Sequence, residues 1–256
     1  MPDTLPTRSL FGLDVCRITR DELVDWVFER AKREEFTRIA AFNTNKLYQI
    51  RNNELLERSM RNTEVVIPDG QSMVLASRLL PGESIPERLT GIDLFTRLVE
   101  ECEAREYRPF FFGAEKRVLG KMLATFEERF PRLQVAGARH GYFNEEELPG
   151  IIDDINQSDP DMLFIGIPSP LKEEIMHQFG DDLEVPVVQG VGGSFDVLAG
   201  KVNRAPQWIQ DAGFEWLYRL YKEPRRLGKR YAEANTYFAY RLLKEYFSQK
   251  THSKDT

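Results

Sequence analysis

The sequence is poor in the residues that build disulfide frameworks and metal sites. It has only two cysteines, Cys16 and Cys102, and three histidines in 256 residues. None of them shares the short spacing of a zinc or redox motif. We therefore expect two buried thiols in a protein from a reducing compartment, and no metal site built by the protein itself.

Long apolar segments and an excess of positive charge are also missing. No apolar run approaches the roughly 20 residues that span a bilayer, and no basic segment followed by an apolar stretch marks a signal peptide. Lys and Arg number 35 against 41 Asp and Glu, and the net charge of −6 argues against a protein coated in basic surface for nucleic acid. We expect a soluble globular protein of one or two domains.

Short apolar runs alternate with longer amphipathic segments through the middle of the chain. Strands are predicted at 37–42, 64–67, 109–112, 162–165 and 185–188, with a further short one within 8–18. Helices are predicted at 22–35, 45–60, 71–80, 91–106, 115–130 and 145–158. The alternation indicates an α/β fold with a Rossmann-like, largely parallel sheet flanked by helices on both sides.

Small, polar or acidic residues follow five of the predicted strands, where open α/β sheets bind their ligands. Asp69 stands between Pro68 and Gly70 at one such exit and is the best-placed lone carboxylate. A carboxylate presented into a cleft suits a general base that deprotonates a hydroxyl group. The alternative is an aspartate that only hydrogen-bonds its own backbone in a turn.

A glycine-rich segment, 190–194, follows the last predicted strand and precedes a helix. Glycines there let backbone N–H groups approach a phosphate. The segment lacks the dinucleotide-binding fingerprint because Phe195 occupies the third glycine position. The sequence leaves two interpretations open, a nucleotide-binding turn and a tight turn without a ligand.

The chain becomes basic and aromatic from about residue 213 onward. We predict a catalytic core over 1–212 and a helical appendage over 213–256, which Pro224 divides into two helices. Basic residues interleaved with aromatics suit an anionic membrane surface or a phosphate-bearing lipid. The alternative is a helix packed on the core with a solvated basic face. Because no recognised nucleic-acid motif accompanies the patch, nucleic acid is not an expected partner.

Ten ordered motifs make the sequence similar to a known family. They are Asn43-x-Asn45, Pro68-Asp69-Gly70, Glu87-Arg88-Leu89-Thr90-Gly91, Phe111-Phe112-Gly113, Gly141-Tyr142-Phe143, Ser169-Pro170-Leu171-Lys172-Glu173, Gly190-Val191-Gly192-Gly193-x-Phe195-Asp196, Arg204-Ala205-Pro206, Glu215-Trp216-Leu217-Tyr218-Arg219 and Glu223-Pro224-Arg225-Arg226. Over residues 10–247 the chain resembles the bacterial WecG/TagA/CpsF glycosyltransferases, glycosyltransferase family 26.

The resemblance implies an inverting glycosyltransferase that acts in cell-surface polysaccharide biosynthesis. Its donor would be a UDP-sugar of the N-acetylmannosamine, glucuronic acid or glucose type, and its acceptor a polyprenyl-diphosphate-linked saccharide. The implied location is peripheral, on the inner face of the cytoplasmic membrane against its anionic surface, with no cofactor, no required metal and a possible homo-oligomer. The alternatives are a non-catalytic UDP-sugar-binding regulatory protein and a nucleotide-sugar epimerase or oxidoreductase.

The resemblance also assigns roles to individual residues. Asp69 would be the general base, and the single base agrees with inversion, which needs no second carboxylate as nucleophile. The substrate would be bound by Asn43, Asn45, Arg88, Ser169, Lys172 and Glu173. The nucleotide would lie against Gly113, Gly192, Gly193, Phe195 and Asp196. The acceptor diphosphate and the membrane would be held by Arg219, Arg225, Arg226 and Arg230, since guanidinium groups match phosphate geometry.

Overall fold

The computed structural model describes residues 4–252 and contains one eight-stranded sheet in the order β1-β2-β4-β3-β8-β7-β5-β6. The strands are β1 (Thr7–Leu10), β2 (Leu13–Cys16), β3 (Thr37–Phe42), β4 (Val65–Pro68), β5 (Pro109–Gly113), β6 (Gly137–Arg139), β7 (Met162–Gly166) and β8 (Val187–Gly190). Only the edge pair β1–β2 is antiparallel, and the other described pairs are parallel. The predicted α/β architecture is confirmed.

Helices cover both faces of this sheet and continue beyond it. They are α1 (Arg20–Lys32), α2 (Thr44–Ile50), α3 (Glu54–Arg61), α4 (Gln71–Leu79), α5 (Gly91–Arg105), α6 (Lys116–Arg129), α7 (Leu148–Gln157), α8 (Leu171–Gln178), α9 (Ser194–Leu198), α10 (Gln207–Asp211), α11 (Glu215–Lys222) and α12 (Pro224–His252). Two apolar clusters, one on each face, form the core. The central strands β4, β5, β7 and β8 are buried along their whole length, as strands covered on both sides must be.

The structure differs from the predicted elements in four places. The segment 8–18 holds a two-strand hairpin, because Phe11 and Gly12 both adopt positive φ in the two-residue turn that favours tight hairpins. The predicted helix 45–60 is two helices, since the Asn53 side chain caps a new start by accepting from Leu56 N at 2.9 Å. The short edge strand β6 was not predicted, and helix 145–158 opens with a 3-10 turn over Glu145–Glu147.

Close backbone approach at the ends of β5 and β7 accounts for two of the glycines there. A Cβ added to Gly113, whose φ is +134°, would lie 2.6 Å from the backbone of Gly166. A Cβ on Gly166 would in turn lie 2.4 Å from the ring of Phe195. The Phe195 ring is fully buried and packs against Phe95 and Phe111, with ring centroids 5.5 and 6.1 Å away.

The last helix lies along the core. α12 packs against α2, where the rings of Tyr48 and Tyr237 meet edge to face and Arg51 stacks on both. Leu227 and Ala234 of α12 are buried. Pro224 begins α12 directly after α11, so the predicted break into two helices is confirmed. Among residues 4–252 no helix is both long and apolar enough to cross a membrane.

Truncating Phe195 tests this packing at the ligand edge of the sheet. We expect Phe195→Ala to lower the free energy of unfolding by about 3–5 kcal/mol, because the cavity left among aromatic rings cannot fully collapse. Urea denaturation followed by circular dichroism measures the change. Phe214→Ala, at a ring 53% exposed, is the control and should change it by about 0.5 kcal/mol or less. Equal effects of the two substitutions would contradict the assignment of Phe195 to the core.

Candidate active site

Two polar side chains meet where the adjacent strands β3 and β4 end. Asp69 follows β4, and its backbone N–H donates to Phe42 O, the last residue of β3, at 2.9 Å. Asn43 follows β3, and its amide Nδ2 donates to Asp69 Oδ2 at 2.9 Å. The amide oxygen of Asn43 accepts from Lys46 N at 3.0 Å and so caps α2. The carboxylate of Asp69 is therefore held in one orientation by a side chain that is itself fixed.

The surroundings of Asp69 increase the affinity of its carboxylate for a proton. Burial raises the pKa of Asp69 above its ordinary value, and the negative charge of Glu215 acts in the same direction. The hydrogen bond from Asn43 and the charges of Arg219 and Arg88 oppose this rise in the pKa without cancelling it. A carboxylate with a raised pKa at a sheet edge has the properties of a general base.

Three arginines surround the carboxylate of Glu215, the first residue of α11. Arg219 donates to Glu215 at 2.6 Å, and Arg88 and Arg204 form ion pairs with it at 3.8 Å. Arg204 also makes a bidentate contact with Asp93, at 2.5 and 2.9 Å. The motifs that contain Arg204 and Glu215 assign neither residue a role, because the partner Asp93 of Arg204 and the partner Arg88 of Glu215 lie more than 110 residues away along the chain.

A second charged cluster contains Lys46 and Lys172, here called the lysine pair. The carboxylate of Glu173 lies between the two lysines and is their shared counter-ion. Both ammonium groups lie 2.6 Å from Glu173 Oε1, and Lys46 also donates to Ser169 Oγ at 2.6 Å. Lys172 donates to the same hydroxyl. Burial, together with the charge of Lys172, lowers the pKa of Lys46 to about 8. Burial alone would raise the pKa of Glu173, but the two lysines hold it below its usual value.

The predicted residues Ser169, Lys172 and Glu173 lie together at one edge of the sheet. Lys46, which was not predicted, contacts Ser169 and Glu173. Lys46 sits one residue after Asn45, in the first turn of α2, and belongs to no metal or phosphate motif. Its partners Ser169 and Glu173 are more than 120 residues further along the chain. Asn45 itself is half-buried in the same turn.

The predicted nucleotide-binding residues differ in whether a ligand can reach their side chains. Gly192 and Gly193 form the turn between β8 and α9, and Gly193 is exposed. Asp196 is ion-paired with Lys201 at 3.0 Å. Gly113 is buried against Gly166, and the Phe195 side chain lies in the core, so a ligand could meet only backbone atoms of these two residues.

An open cleft lies beside this turn, at the exits of β5 and β6. Its volume is about 390 Å³, and it is lined by Glu115, Lys116, His140 and Tyr142. The Tyr142 ring is 69% exposed and stands free to stack on a flat ligand. Tyr142 belongs to the Gly141-Tyr142-Phe143 motif, which by itself gives this ring no role.

The four predicted tail arginines occupy two different environments. Arg219 is half-buried beside Glu215, whereas Arg225, Arg226 and Arg230 are exposed at the start of α12. Apolar side chains of the preceding segment are exposed with them, namely Trp208, Phe214, Trp216, Leu217 and Tyr221. The segment thus presents apolar and cationic groups together to its surroundings.

The Asp-Pro-Asp segment at residues 159–161 lies away from this edge. Asp161 precedes β7 and accepts from Arg108 N, just before β5, at 2.6 Å, so it belongs to the amino-terminal side of the sheet. Within residues 4–252, no three His, Cys, Asp or Glu side chains are grouped as metal ligands would be.

The fold and the site together define a class of protein, an α/β protein that presents a carboxylate, cationic groups and a glycine turn along one edge of its sheet. The sequence model of one protein family, described as the Glycosyl transferase WecG/TagA/CpsF family, matches residues 8–252. The chain therefore belongs to this family of glycosyltransferases. This membership decides against the epimerase or oxidoreductase and the non-catalytic alternatives.

Two relatives carry the same descriptive name, N-acetylglucosaminyldiphosphoundecaprenol N-acetyl-beta-D-mannosaminyltransferase. The protein of Bacillus spizizenii strain W23 is 33% identical over 179 residues, which cover 70% of this chain and 68% of the relative. The protein of Bacillus subtilis strain 168 is 32% identical over 192 residues, covering 75% of this chain and 73% of the relative.

Neutralising Glu173 tests the charge balance of the lysine pair. We expect Glu173→Gln to lower the free energy of unfolding at pH 7 by about 3 kcal/mol, because two buried ammonium groups lose their counter-charge. The deficit should shrink as pH rises from 6.5 to 8. The folded variant binds the proton on Lys46 less tightly than the unfolded chain does, so its stability increases with pH.

Denaturant titrations at several pH values measure this effect. The matched control is Glu174→Gln, because the neighbouring carboxylate is half-buried and lies 3.5 Å from Asn53 Nδ2. Its effect should stay near 0.5 kcal/mol and should not depend on pH in this range. A deficit in Glu173→Gln that is constant between pH 6.5 and 8 would show that the proton affinity of Lys46 does not respond to the lost charge.

Proposed function

We propose that this enzyme transfers a sugar from a UDP-sugar donor to a saccharide on polyprenyl diphosphate, with inversion at the anomeric carbon. The observation that carries the proposal is Asp69, a carboxylate with a raised pKa held by Asn43 at the ligand edge of the sheet. The names of the two Bacillus relatives supply the chemistry of the acceptor, a diphosphoundecaprenol-linked sugar. By the same names we take the N-acetylmannosamine type as donor sugar.

In this mechanism Asp69 removes the proton from the acceptor hydroxyl group. The oxygen then attacks the anomeric carbon of the donor, and the bond from that carbon to the phosphate oxygen breaks. The electron pair leaves with UDP, and the proton stays on Asp69. One base on the acceptor side and a leaving group on the opposite side give inversion in a single displacement.

The donor nucleotide, in this proposal, lies along the exits of β8, β7 and β5. The exposed turn at Gly192 and Gly193 gives a phosphate close access to the backbone. The neighbouring cleft, with the exposed ring of Tyr142, has the size and the flat wall that a base requires. The sugar would then be directed toward Asp69, past Asn45 and Ser169.

The acceptor, in this proposal, approaches from the side of α11 and the start of α12. Arg225, Arg226 and Arg230 present exposed guanidinium groups beside exposed apolar rings, a combination that suits an anionic lipid surface. Arg219, which pairs with Glu215 and acts on the charge of Asp69, would connect the acceptor diphosphate to the base. We propose residues 213–256 as this acceptor-binding segment, of which 253–256 lie outside the described residues, and the inner face of the cytoplasmic membrane as its location.

Removing the base tests the mechanism directly. We expect Asp69→Asn to lower kcat by about 10²–10⁴-fold with little change in UDP binding, because the amide cannot accept the proton. In the unaltered enzyme, kcat should fall as pH drops through a pKa higher than the ordinary aspartate value, because only the ionised carboxylate acts as base. UDP release with N-acetylglucosaminyldiphosphoundecaprenol, the acceptor in the names of the relatives, measures turnover, and calorimetry measures UDP binding.

Asp211→Asn, at an exposed position on α10, is the control and should keep full activity. Turnover of Asp69→Asn at more than a tenth of the rate of the unaltered enzyme would remove Asp69 from the mechanism. A donor panel of UDP-N-acetylmannosamine, UDP-glucuronic acid and UDP-glucose in the same assay identifies the sugar.

Reversing charge on α12 tests the acceptor side. We expect Arg225→Glu combined with Arg226→Glu to raise KM for acceptor in anionic vesicles at least tenfold, since a phosphate loses two guanidinium partners and meets two carboxylates. Sedimentation with the vesicles should weaken as well, while UDP affinity stays unchanged. Arg117→Glu combined with Lys121→Glu makes the same charge change on exposed positions of α6. If both pairs reduce vesicle binding equally, the effect comes from net charge and not from this surface.

A further inference from the structure

Two of the least exposed charged side chains of the described structure are lysines that face the ligand edge of the sheet. Lys46 is 4% exposed and Lys172 is 6% exposed, and the two share a single counter-ion, Glu173, at 1%. We propose that the lysine pair binds the diphosphate of the donor and stabilises the negative charge that grows on it as UDP leaves. This inference rests on the proposed function, because it assigns the site of its leaving group.

The charge count of the lysine pair favours an anionic ligand. Two ammonium groups and one carboxylate leave one positive charge in excess, in a place that water scarcely reaches. An uncompensated buried charge is costly, and a bound anion removes that cost. In addition, Glu173 Oε2 is buried without a hydrogen-bond partner, so this site still has an acceptor to offer to a donor group such as a sugar hydroxyl.

The lysine pair lies between the base and the glycine turn. On one side, Asn43 connects it to Asp69, because its amide donates to the carboxylate and its oxygen caps the helix turn of Lys46. On the other side, the side chain of Lys172 passes over Gly190. A Cβ added to Gly190 would lie 3.0 Å from Lys172 Cε. A Cβ on Gly192 would lie 3.8 Å from Lys172 Nζ.

This position is where the chemistry needs positive charge. When the bond from the anomeric carbon to the phosphate oxygen breaks, the electron pair becomes negative charge on the diphosphate. Cations fixed in a water-poor site stabilise such charge without having to reorganise during the reaction. The ion pairs with Glu173 and the hydrogen bonds with Ser169 fix both ammonium groups before a donor arrives.

Removing either lysine should weaken UDP binding, whereas removing their shared counter-charge should strengthen it. We expect Lys46→Met and Lys172→Met each to weaken UDP binding about tenfold and to lower kcat by about 10²-fold, the usual loss for one group that stabilises developing charge. Uridine, which has no phosphate, should bind each variant as it binds the unaltered enzyme. At pH 6.5, before Lys46 of this variant is expected to lose its proton, Glu173→Gln leaves two ammonium groups unopposed and should tighten UDP binding about threefold, whereas a purely structural role would make all three substitutions harmful.

Calorimetry with UDP and with uridine gives these affinities without any turnover, so the test stands even if no tested sugar is transferred. Lys121→Met, at an exposed position of α6, is the control and should bind UDP normally. Lys172→Arg keeps the charge and should recover most of the affinity that Lys172→Met loses. The ratio of UDP to uridine affinity is unaffected by the folded fraction of a variant.

Three results would overturn the proposal. UDP and uridine could weaken together, which would make the lysine pair a support for the fold. UDP affinity could stay unchanged in both Met variants. Finally, the variants could discriminate only between UDP-glucuronic acid and neutral donors while UDP binding is unaffected, which would place the lysine pair against a sugar carboxylate instead of the diphosphate.

Discussion

Parallel pairing of buried strands is the constraint on which the site depends. Because β3, β4, β7 and β8 run in the same direction, their carboxyl ends emerge at one edge. β4, β7 and β8 are buried along their whole length and carry no charged residue, so charged groups follow them only where each strand stops. The hydrogen bond from Asp69 N to Phe42 O extends the ladder by one residue and sets the carboxylate of Asp69 at that edge.

Buried charge at this edge is organised in two sets that differ in balance. Around Glu215, the acids Asp69 and Asp93 and the arginines 88, 204 and 219 compensate one another. The lysine pair has one carboxylate for two ammonium groups. A balanced set orients its members at little cost, whereas an unbalanced set gains stability from an anion. The first arrangement suits positioning of the base, and the second suits binding of a charged substrate.

Local signals in the sequence were sufficient for the five central strands and for the position of Asp69 at a strand exit, but not for the edge strand β6 or the β1–β2 hairpin. Apolar runs of strand length located the five central strands, and Pro-Asp-Gly at a strand exit located Asp69. Lys46 was missed because its significance comes from Glu173, far away in sequence, and a lone lysine in a helix carries no local pattern. The motif that contains Phe195 predicted a contact with the nucleotide. In the folded protein, however, the ring fills the space above Gly166, and a sequence pattern cannot show this contact between two distant residues.

The position of α12 links the two ends of the proposed reaction. Its first turn is exposed and basic, while further along Tyr237 and Phe238 pack on the core and against α2 and the β1–β2 turn. The same α2 begins with Asn43 as its cap and carries Lys46 in its first turn. In the proposed reaction, the helix whose exposed start would meet the acceptor therefore packs directly on α2, the helix that would supply part of the donor site.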